Sequence, residues 1–290
     1  MEKEFPPAVW LTLGVVAASL SAILIRYADD AEPLAISFWR CAAGAALLAP
    51  FAAPKLRAVE RRSLVLPAVA GAWLAVHFGT WITSLELTTV ASSVLLVSTT
   101  PIFVALAAWA LFNERLPSLG WFGIALALAG TAMIGGGDLE DSSLSGDLLA
   151  LAGGAAAGGY VLSGQIARRH LGILEYAVVT YSLAAVMLGL ACLIGDVPLW
   201  GYGGKTWWAI AGIVAGPQLL GHTLINFVLR DIDATTVSVA IMAEPVIATA
   251  LAYWLFEETP TWWAYPGGAA ILAGIYAVAR VARTPAVVVE

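Results

Sequence analysis

Long apolar runs separated by short polar stretches dominate this chain from Ala8 to Arg280. Crossing about 30 Å of hydrocarbon as an α-helix takes about 20 mainly apolar residues. The pattern therefore predicts an all-α, multi-pass membrane protein with ten transmembrane helices and mostly short loops. The predicted helices cover residues 8–27, 34–52, 64–85, 90–112, 117–135, 146–167, 174–194, 206–229, 234–256 and 262–280.

One segment of this pattern occurs twice, 144 residues apart. VASSVLLVSTTPIFVALAAWALFNE, which ends at Glu114, aligns with ATTVSVAIMAEPVIATALAYWLFEE, which ends at Glu258, so that Pro101 falls on Pro245. Each copy is an apolar run broken by proline near its middle and closed by an aromatic residue and an acid. Broken hydrophobic helices at corresponding places in two halves are typical of secondary transporters.

The repeat extends beyond this segment, since Ser21–Arg26 matches Ser163–Arg168 at a spacing of 142 residues. The predicted organisation is a first five-helix repeat over 8–135, a glycine- and serine-rich linker over 136–145, a second five-helix repeat over 146–280 and a tail over 281–290. Five helices per half is an odd number, so the second half must enter the membrane from the opposite side. The count thus predicts an inverted repeat, whose substrate site lies near the midplane where the halves meet.

Lysine and arginine positions predict the orientation, because cytoplasmic loops are enriched in both residues. With a cytoplasmic N-terminus, the outer segments hold only Arg26 and Lys205. The inner segments hold Lys3, Lys55, Arg57, Arg61, Arg62, Arg115, Arg168, Arg169, Arg230, Arg280 and Arg283. Both termini are therefore predicted to be cytoplasmic, and the protein to lie in the inner or plasma membrane.

Composition agrees with this class and narrows the partners. The chain is 60% hydrophobic and 12% charged, about half the charged fraction of a soluble domain. No basic run suggests nucleic acid, and no metal-ligand spacing, phosphate-cradling glycine motif or Ser/His/Asp constellation occurs, so we expect no metal, no cofactor and no enzyme. Cys41 and Cys192 lie in apolar runs and are interpreted as packing residues. The expected partners are a small-molecule substrate and the lipid bilayer, in a monomer or weak oligomer.

Several motifs together resemble a known family. Arg40 lies in an FWR sequence of the second helix, Glu244-Pro245 opens the break in the ninth, and Phe-x-Glu ends the fourth and ninth. With ten helices in two repeats of five, this resembles the EamA branch of the drug/metabolite transporter superfamily. The resemblance implies secondary transport, often export of amino acids or other small metabolites. It also implies a central cavity among the first four helices of each half, as in the aromatic amino acid exporter of that superfamily.

The two broken helices are candidate pathway segments. Proline leaves a backbone carbonyl without its usual partner, which a membrane tolerates only inside protein or beside a watery cavity. The residues before each proline are Ser92, Ser93, Ser98, Thr99 and Thr100 in the first copy and Ser238, Met242 and Glu244 in the second. The alternative is a packed kink whose hydroxyls bond back to their own helix. We assign Ser98, Thr99, Pro101 and Pro245 gating or structural roles.

Glu244 and Arg40 are the deep charged residues. An ionised carboxylate near the midplane is costly unless it is paired or hydrated, so Glu244 is a substrate contact, a proton-carrying acid or a structural carboxylate. Arg40, nearer the outer surface, either snorkels, forms a structural ion pair or binds a substrate carboxylate. Glu114 and Glu258 fall at opposite membrane faces, as caps, loop ion-pair partners or gate contacts formed in only one access state.

Polar and aromatic residues complete the predicted binding site. Gln218, His222 and Asn226 are spaced by four on one helical face, and His77 and Trp81 share that spacing in the third helix. Such a cavity suits a small amphipathic solute. The predicted substrate-binding residues are His77, Trp81, Tyr160, Gln218, His222, Asn226 and Glu244. Export of a neutral amino acid is the main hypothesis; a drug, vitamin or nucleotide-sugar carrier, an intramembrane enzyme and a non-transporting scaffold are the alternatives.

Overall fold

The computed structural model describes residues 5–135 and 142–281, and these residues form helices and connecting turns without any strand. Most of the predicted linker 136–145 and of the tail 281–290 lies outside the described residues. The helices are α1 (Pro7–Tyr27), α2 (Pro33–Leu56), α3 (Val65–Leu87), α4 (Val90–Val97), α5 (Thr100–Phe112), α6 (Ser118–Ile134), α7 (Leu144–Arg168), α8 (Ile173–Ile194), α9 (Gly204–Ile213), α10 (Thr223–Val228), α11 (Ala234–Ile241), α12 (Glu244–Phe256) and α13 (Ala264–Ala279). A 3₁₀ turn, Arg61–Leu64, leads into α3, and a π-helical segment, Val214–His222, joins α9 to α10.

Seven helical segments in the described part are long and apolar enough to cross a membrane on their own. They are Pro7–Tyr27, Pro33–Leu56, Arg61–Leu87, Val90–Phe112, Ile173–Ile194, Gly204–Val228 and Ala234–Phe256. Two more of the ten predicted spans, α6 and α13, are apolar but shorter. The remaining one, α7, has 25 residues but owes much of its run to glycine and alanine, which are less hydrophobic than leucine or valine. The chain is thus a multi-pass membrane protein.

Both predicted helix breaks occur, and the two copies match residue for residue. Each copy has an 8-residue helix, two residues outside the helix and a 13-residue helix whose second residue is the proline. Thr89 caps α4 and Asp233 caps α11 through the same side chain-to-amide bond. Each second helix ends at a left-handed residue, Asn113 at φ 56° and Glu257 at φ 57°. The repeat seen in the sequence is therefore also a repeat of backbone conformation.

Helices from the two halves pack in reciprocal pairs. α2 packs along α8 and α6 along α13, while α3 packs along α7 and α1 along the α9–α10 rod. Exchanging the halves converts the α3–α7 pair into the α1–rod pair. Small residues permit this close approach in lipid: a Cβ on Gly130 would stand 2.4 Å from the Gly267 carbonyl oxygen, and one on Gly274 would stand 2.4 Å from that of Gly123. These glycines therefore serve helix packing.

α1 runs antiparallel to its partner rod. Gly14 lies against Gly221 and Ile225, whereas Gly212 lies against Leu24. Trp10, near the start of α1, meets Phe227 edge to face at 6.3 Å between ring centroids. The start of α1 therefore lies beside the end of α10, and the end of α1 beside the start of α9.

Candidate functional site

A cavity of about 190 Å³ lies among helices of both halves and contains most of the polar candidates. Its walls come from α1, α2, α3, α4, α5, α7, the π-helical segment, α10, α11 and α12. α6 and α13, the fifth helix of each half, contribute no residue to the described wall, and neither do α8 and α9, although the resemblance implies a cavity among the first four helices of each half. The polar and aromatic wall residues are Ser19, Ser21, Arg40, His77, Phe78, Trp81, Ser98, Thr100, Tyr160, His222, Ser238 and Glu244.

Arg40 lies at the cavity wall rather than at a membrane surface. It is 1% exposed, so the snorkelling interpretation is wrong. Its Nε donates to Gln218 Oε1 at 2.9 Å, and its guanidinium lies over the Phe78 ring at 4.1 Å. A guanidinium presents five N–H donors in one plane, and in a dry site it favours a carboxylate. Gln218 and Phe78 thus hold Arg40 in an orientation that leaves donors for the cavity.

Glu244 reaches the same cavity from the second helix break. It is the first residue of α12, directly before Pro245, so its carboxylate lies near the positive end of a helix dipole. In the described residues the ion pairs are Arg26–Glu258 and Lys205–Asp29, which leaves Arg40 and Glu244 without a salt bridge to each other or to a third residue. The cavity therefore has a guanidinium on one wall and a carboxyl group on another, and no salt bridge joins them.

His77 and Trp81 form an aromatic wall. Their rings stack with an interplanar angle of 6° and a centroid distance of 5.6 Å. His77 Nδ1 lies 2.9 Å from the Gly153 carbonyl oxygen, so Nδ1 carries the donated hydrogen, and Nε2 of the neutral ring is an acceptor. Trp81 Nε1 has no hydrogen-bond acceptor among the described residues. A planar solute could lie against this wall and accept from the indole.

Tyr160 and His222 are two aromatic wall residues from the second half. Their ring centroids are 6.0 Å apart, and His222 also meets Phe78 edge to face at 5.4 Å. Asn226 Nδ2 donates to the Tyr160 hydroxyl at 2.5 Å and to the His222 carbonyl at 2.6 Å. His222 Nδ1, like Trp81 Nε1, has no partner in the described part of the chain. Both predicted histidines, His77 and His222, thus face one cavity.

Two predicted binding residues, Gln218 and Asn226, do not line the cavity. Both are fully buried and instead hold wall residues in place. Gln218 accepts a hydrogen bond from Arg40, and Asn226 donates one to Tyr160. The prediction assumed an α-helical stripe, but the segment up to His222 is π-helical, and its wider turns change the direction of side chains four residues apart. Pro217 within this segment lacks an amide hydrogen, which favours such a turn.

The first helix break contributes fewer polar residues than predicted. Ser98, Thr100 and Pro101 line the cavity, whereas the Thr99 hydroxyl bonds back to Leu96 at 2.6 Å. Ser92 and Ser93 lie one to two turns away from the break. Ser92 donates to Asp147 at 2.6 Å, and Ser93 pairs with Ser84 at 2.7 Å. The packed-kink alternative therefore holds for Thr99, whereas Ser92 and Ser93 bond to side chains of α7 and α3.

The two acids at the ends of the repeated segments have different surroundings. Glu258 accepts two hydrogen bonds from Arg26, at 2.6 and 3.1 Å, and these hold the pKa of the Glu258 carboxyl below its ordinary value. Glu114 lines a separate small cavity with Arg115, Asp233 and Thr235. Neither acid lines the central cavity.

Sequence reasoning missed two wall residues that matter for the geometry, Phe78 and Ser21. Phe78 is 1% exposed and supports Arg40, but an aromatic residue in an apolar helix carries no sign of such a role. Ser21, 3.5 Å from an Arg40 guanidinium nitrogen, lies within the SAILIR motif that matches its counterpart in the second half. The recurrence of this motif in the second half was the sequence signal that could have identified Ser21.

Comparison with known proteins gives one consistent result. The profile of the EamA-like transporter family matches residues 6–136 and 144–280. An uncharacterized transporter of Archaeoglobus fulgidus is 26% identical over 92% of this chain and 97% of its own length. One of Synechocystis sp. is 28% identical over 58% of this chain, and the match spans 52% of that protein, about half its length. A crystal structure superposes with a TM-score of 0.81 at 18% identity, over 96% of this chain and 97% of its own, which shows the shared fold.

Proposed function

The chain belongs to the EamA-like transporter family, and we propose that it is a secondary transporter that exports a small amphipathic metabolite by alternating access. The proposed substrate class is amino acids, aromatic or otherwise neutral. The proposed topology is ten transmembrane helices in two inverted five-helix repeats with both termini cytoplasmic, in the inner or plasma membrane. This arrangement agrees with the excess of lysine and arginine in the inner loops.

The observation that carries the substrate class is the placement of Arg40 and Glu244 in one cavity without a salt bridge between them. A buried charge is costly unless a partner compensates it. A solute with a carboxylate and an ammonium group would compensate both at once, the carboxylate at Arg40 and the ammonium at Glu244. The stacked His77–Trp81 wall and Tyr160 would then face its side chain.

The same residues argue against the alternatives. A nucleotide sugar carries phosphates that require several cations, and Arg40 is the one arginine or lysine in the described cavity wall. An intramembrane enzyme would need a nucleophile–base pair or a metal, and no group of three metal-binding side chains occurs within the described residues. Transport, in which a solute is moved unchanged, needs neither.

Uptake into everted membrane vesicles tests the proposal. Vesicles with the protein should accumulate labelled phenylalanine or threonine above vesicles without it, and the recovered label should be unmodified. Glu244→Gln should reduce uptake at least tenfold, while Glu60→Gln, in an exposed loop, should leave it unchanged. Absence of uptake for every amino acid tested would refute the substrate class, and a chemically altered solute would favour an enzyme.

A further inference from the structure

Arg26 and Glu258 close one end of the molecule by joining α1 to the end of α12. Besides the two hydrogen bonds, the Arg26 guanidinium lies 4.6 Å from the centroid of the Phe256 ring, and Tyr27 packs on the same ring at 5.6 Å. These contacts bring the last residues of α1 against the end of α12 and the residues that follow it. They lie beyond the central cavity, whose wall on α1 runs from Ala18 to Ala22.

The repeat supplies an equivalent of each member of this pair. Arg168 corresponds to Arg26 at a spacing of 142 residues, and Glu114 corresponds to Glu258 at a spacing of 144. In the structure these equivalents do not form an ion pair. Arg168 is 4% exposed and donates through Nε to the Asn226 carbonyl at 3.2 Å and through Nη1 to the Leu171 carbonyl. The ion pair is thus formed in one copy of the repeat and not in the other.

The unused pair lies at the opposite end of the molecule. Arg168 approaches Phe227 to 5.9 Å, and Phe227 contacts Trp10 near the start of α1. Arg26 lies 16 residues further along α1, roughly 24 Å at 1.5 Å per residue. Glu114 belongs to the Arg168 end, since it shares a small cavity with Asp233, and the next residue, Ala234, donates its amide to Gln165 at 3.0 Å.

We propose that Arg26–Glu258 and Arg168–Glu114 are alternating gate pairs, of which the first is closed in this structure and the second closes when the first opens. The proposal rests on transport by alternating access. In an inverted repeat each half adopts the other's conformation when the access side changes, so the contact made by one copy at one end is the contact available to the other copy at the opposite end.

The neighbouring charges are compatible with this exchange. Asp233 is engaged as the cap of α11, where it accepts from Thr236, so it does not hold Arg168. Arg115 lines the same small cavity as Glu114 and is its nearest competing partner in sequence. Arg168 must leave two backbone carbonyls to reach Glu114, and these carbonyls belong to the ends of α10 and of the α7–α8 turn.

Sided cysteine labelling tests the exchange without any substrate. The reporter is Ala248→Cys in the cavity wall. The two native cysteines are replaced by Cys41→Ala and Cys192→Ala. In a separate variant, Gly204→Cys shows which membrane face carries the Arg26 end. A membrane-impermeant thiol reagent is applied to each face of sealed vesicles, and the ratio of labelling from the Arg26 end to labelling from the Arg168 end is measured. Glu258→Gln removes the closed pair and should raise this ratio about two- to fivefold, as expected for a weak exposed pair.

Glu114→Gln is the decisive variant, because it should lower the same ratio by destabilising the other state. The double variant should lie between the two single ones, and Glu60→Gln, in an exposed loop, should leave the ratio unchanged. A ratio that Glu114→Gln raises or does not change would overturn the proposal, and so would a reporter that neither face can label. Opposite shifts without amino acid uptake would support the gates and refute the substrate class alone.

Discussion

At the scale of single residues, the orientation of Arg40 depends on Gln218, a side chain that does not line the cavity. Gln218 fixes the guanidinium through Nε, and both residues are buried among apolar neighbours. A hydrogen bond to a charged group contributes about 1.5–3 kcal/mol. Gln218 therefore orients Arg40, and in the proposed carrier it would act on substrate binding through that side chain.

We expect Gln218→Leu to weaken substrate binding about tenfold, because it leaves a buried N–H of Arg40 without its acceptor. The measurement is KM for uptake together with the thermal unfolding midpoint. Gln165→Leu is the matched control: it also removes a buried hydrogen bond, to the Ala234 amide, but away from the cavity. It should lower the midpoint and leave KM unchanged. An unchanged KM in Gln218→Leu would show that Arg40 needs no positioning.

The sequence predicted those wall residues whose polar side chains would be costly to expose to lipid. Glu244, His77 and His222 were found in this way, and all three reach the cavity. Gln218 and Asn226 were placed in the wall by their spacing, which a π-helical turn invalidates. Their partners, Arg40 and Tyr160, come from helices far away in the chain, and a pattern within one helix does not contain that information.

At the scale of helices, the α6–α13 pair is held by backbone-to-backbone contact. A Cβ on Gly130 would stand 2.4 Å from the Gly267 carbonyl oxygen and 2.9 Å from Ile271. Neither the carbonyl nor the neighbouring helix can move away without separating the pair. Since α6 and α13 do not line the cavity, this contact contributes to stability and not to recognition.

Gly130→Ala should therefore lower the unfolding midpoint by several degrees, as expected for overpacking that costs about 1–3 kcal/mol. The KM for uptake should stay at the wild-type value. Gly204→Ala is the control, because a Cβ there meets nothing within 4 Å, and its midpoint should not change. An equal midpoint in both variants would contradict the close packing described here.

Helix breaks were predictable from proline, but their detail was not. Pro101 and Pro245 mark both breaks because a proline lacks the amide that a continuous helix needs. Pro50 lies inside the unbroken α2, so proline alone does not decide where a helix ends. At the first break, Thr99 and Thr100 donate to the carbonyls of Leu96 and Val97 and so supply partners for backbone groups that lack a helical amide there.

At the scale of the whole molecule, the Arg26–Glu258 contact makes one end sensitive to acid. The pKa of Glu258 is lowered by Arg26, so the contact is fully present above the ordinary carboxyl pKa and is lost as the pH falls through the lowered value. Asp29 and Asp30 lie at the same end, and the pKa of each is lowered as well, that of Asp29 by Lys205 and that of Asp30 by Thr206 and the Gly203 amide.

Lowering the pH from about 7 to about 3 should lengthen the distance between spin labels at Ala31→Cys and Thr259→Cys, because protonated Glu258 no longer pairs with Arg26. Between pH 7 and pH 5 the distance should stay constant. Glu258→Gln should show the longer distance at every pH. If that variant keeps the same pH dependence as the wild type, the aspartates of the neighbouring loop and not Glu258 cause the change.

The global organisation was the most predictable level. The duplication of the broken segment follows from matching residues 144 positions apart, and the structure gives both copies of that segment the same helix lengths. What the sequence did not reveal is which charges meet, since Arg26 and Glu258 are 232 positions apart. Hydropathy signals α7 more weakly than α1 or α8, because its glycine and alanine content lowers the mean hydropathy of the run.

The half-exposed position of the Arg26–Glu258 pair has a consequence for the direction of flow. Side chains about 50% exposed, here 53% and 49%, exchange their mutual contact for water at little cost. In the proposed carrier, a gate of this strength contributes little to the free-energy difference between the two access states, so it does not by itself favour one direction of transport. Whether a solute leaves or enters the cell would then be decided by its concentrations on the two sides of the membrane, and any coupled ion would act by changing that balance.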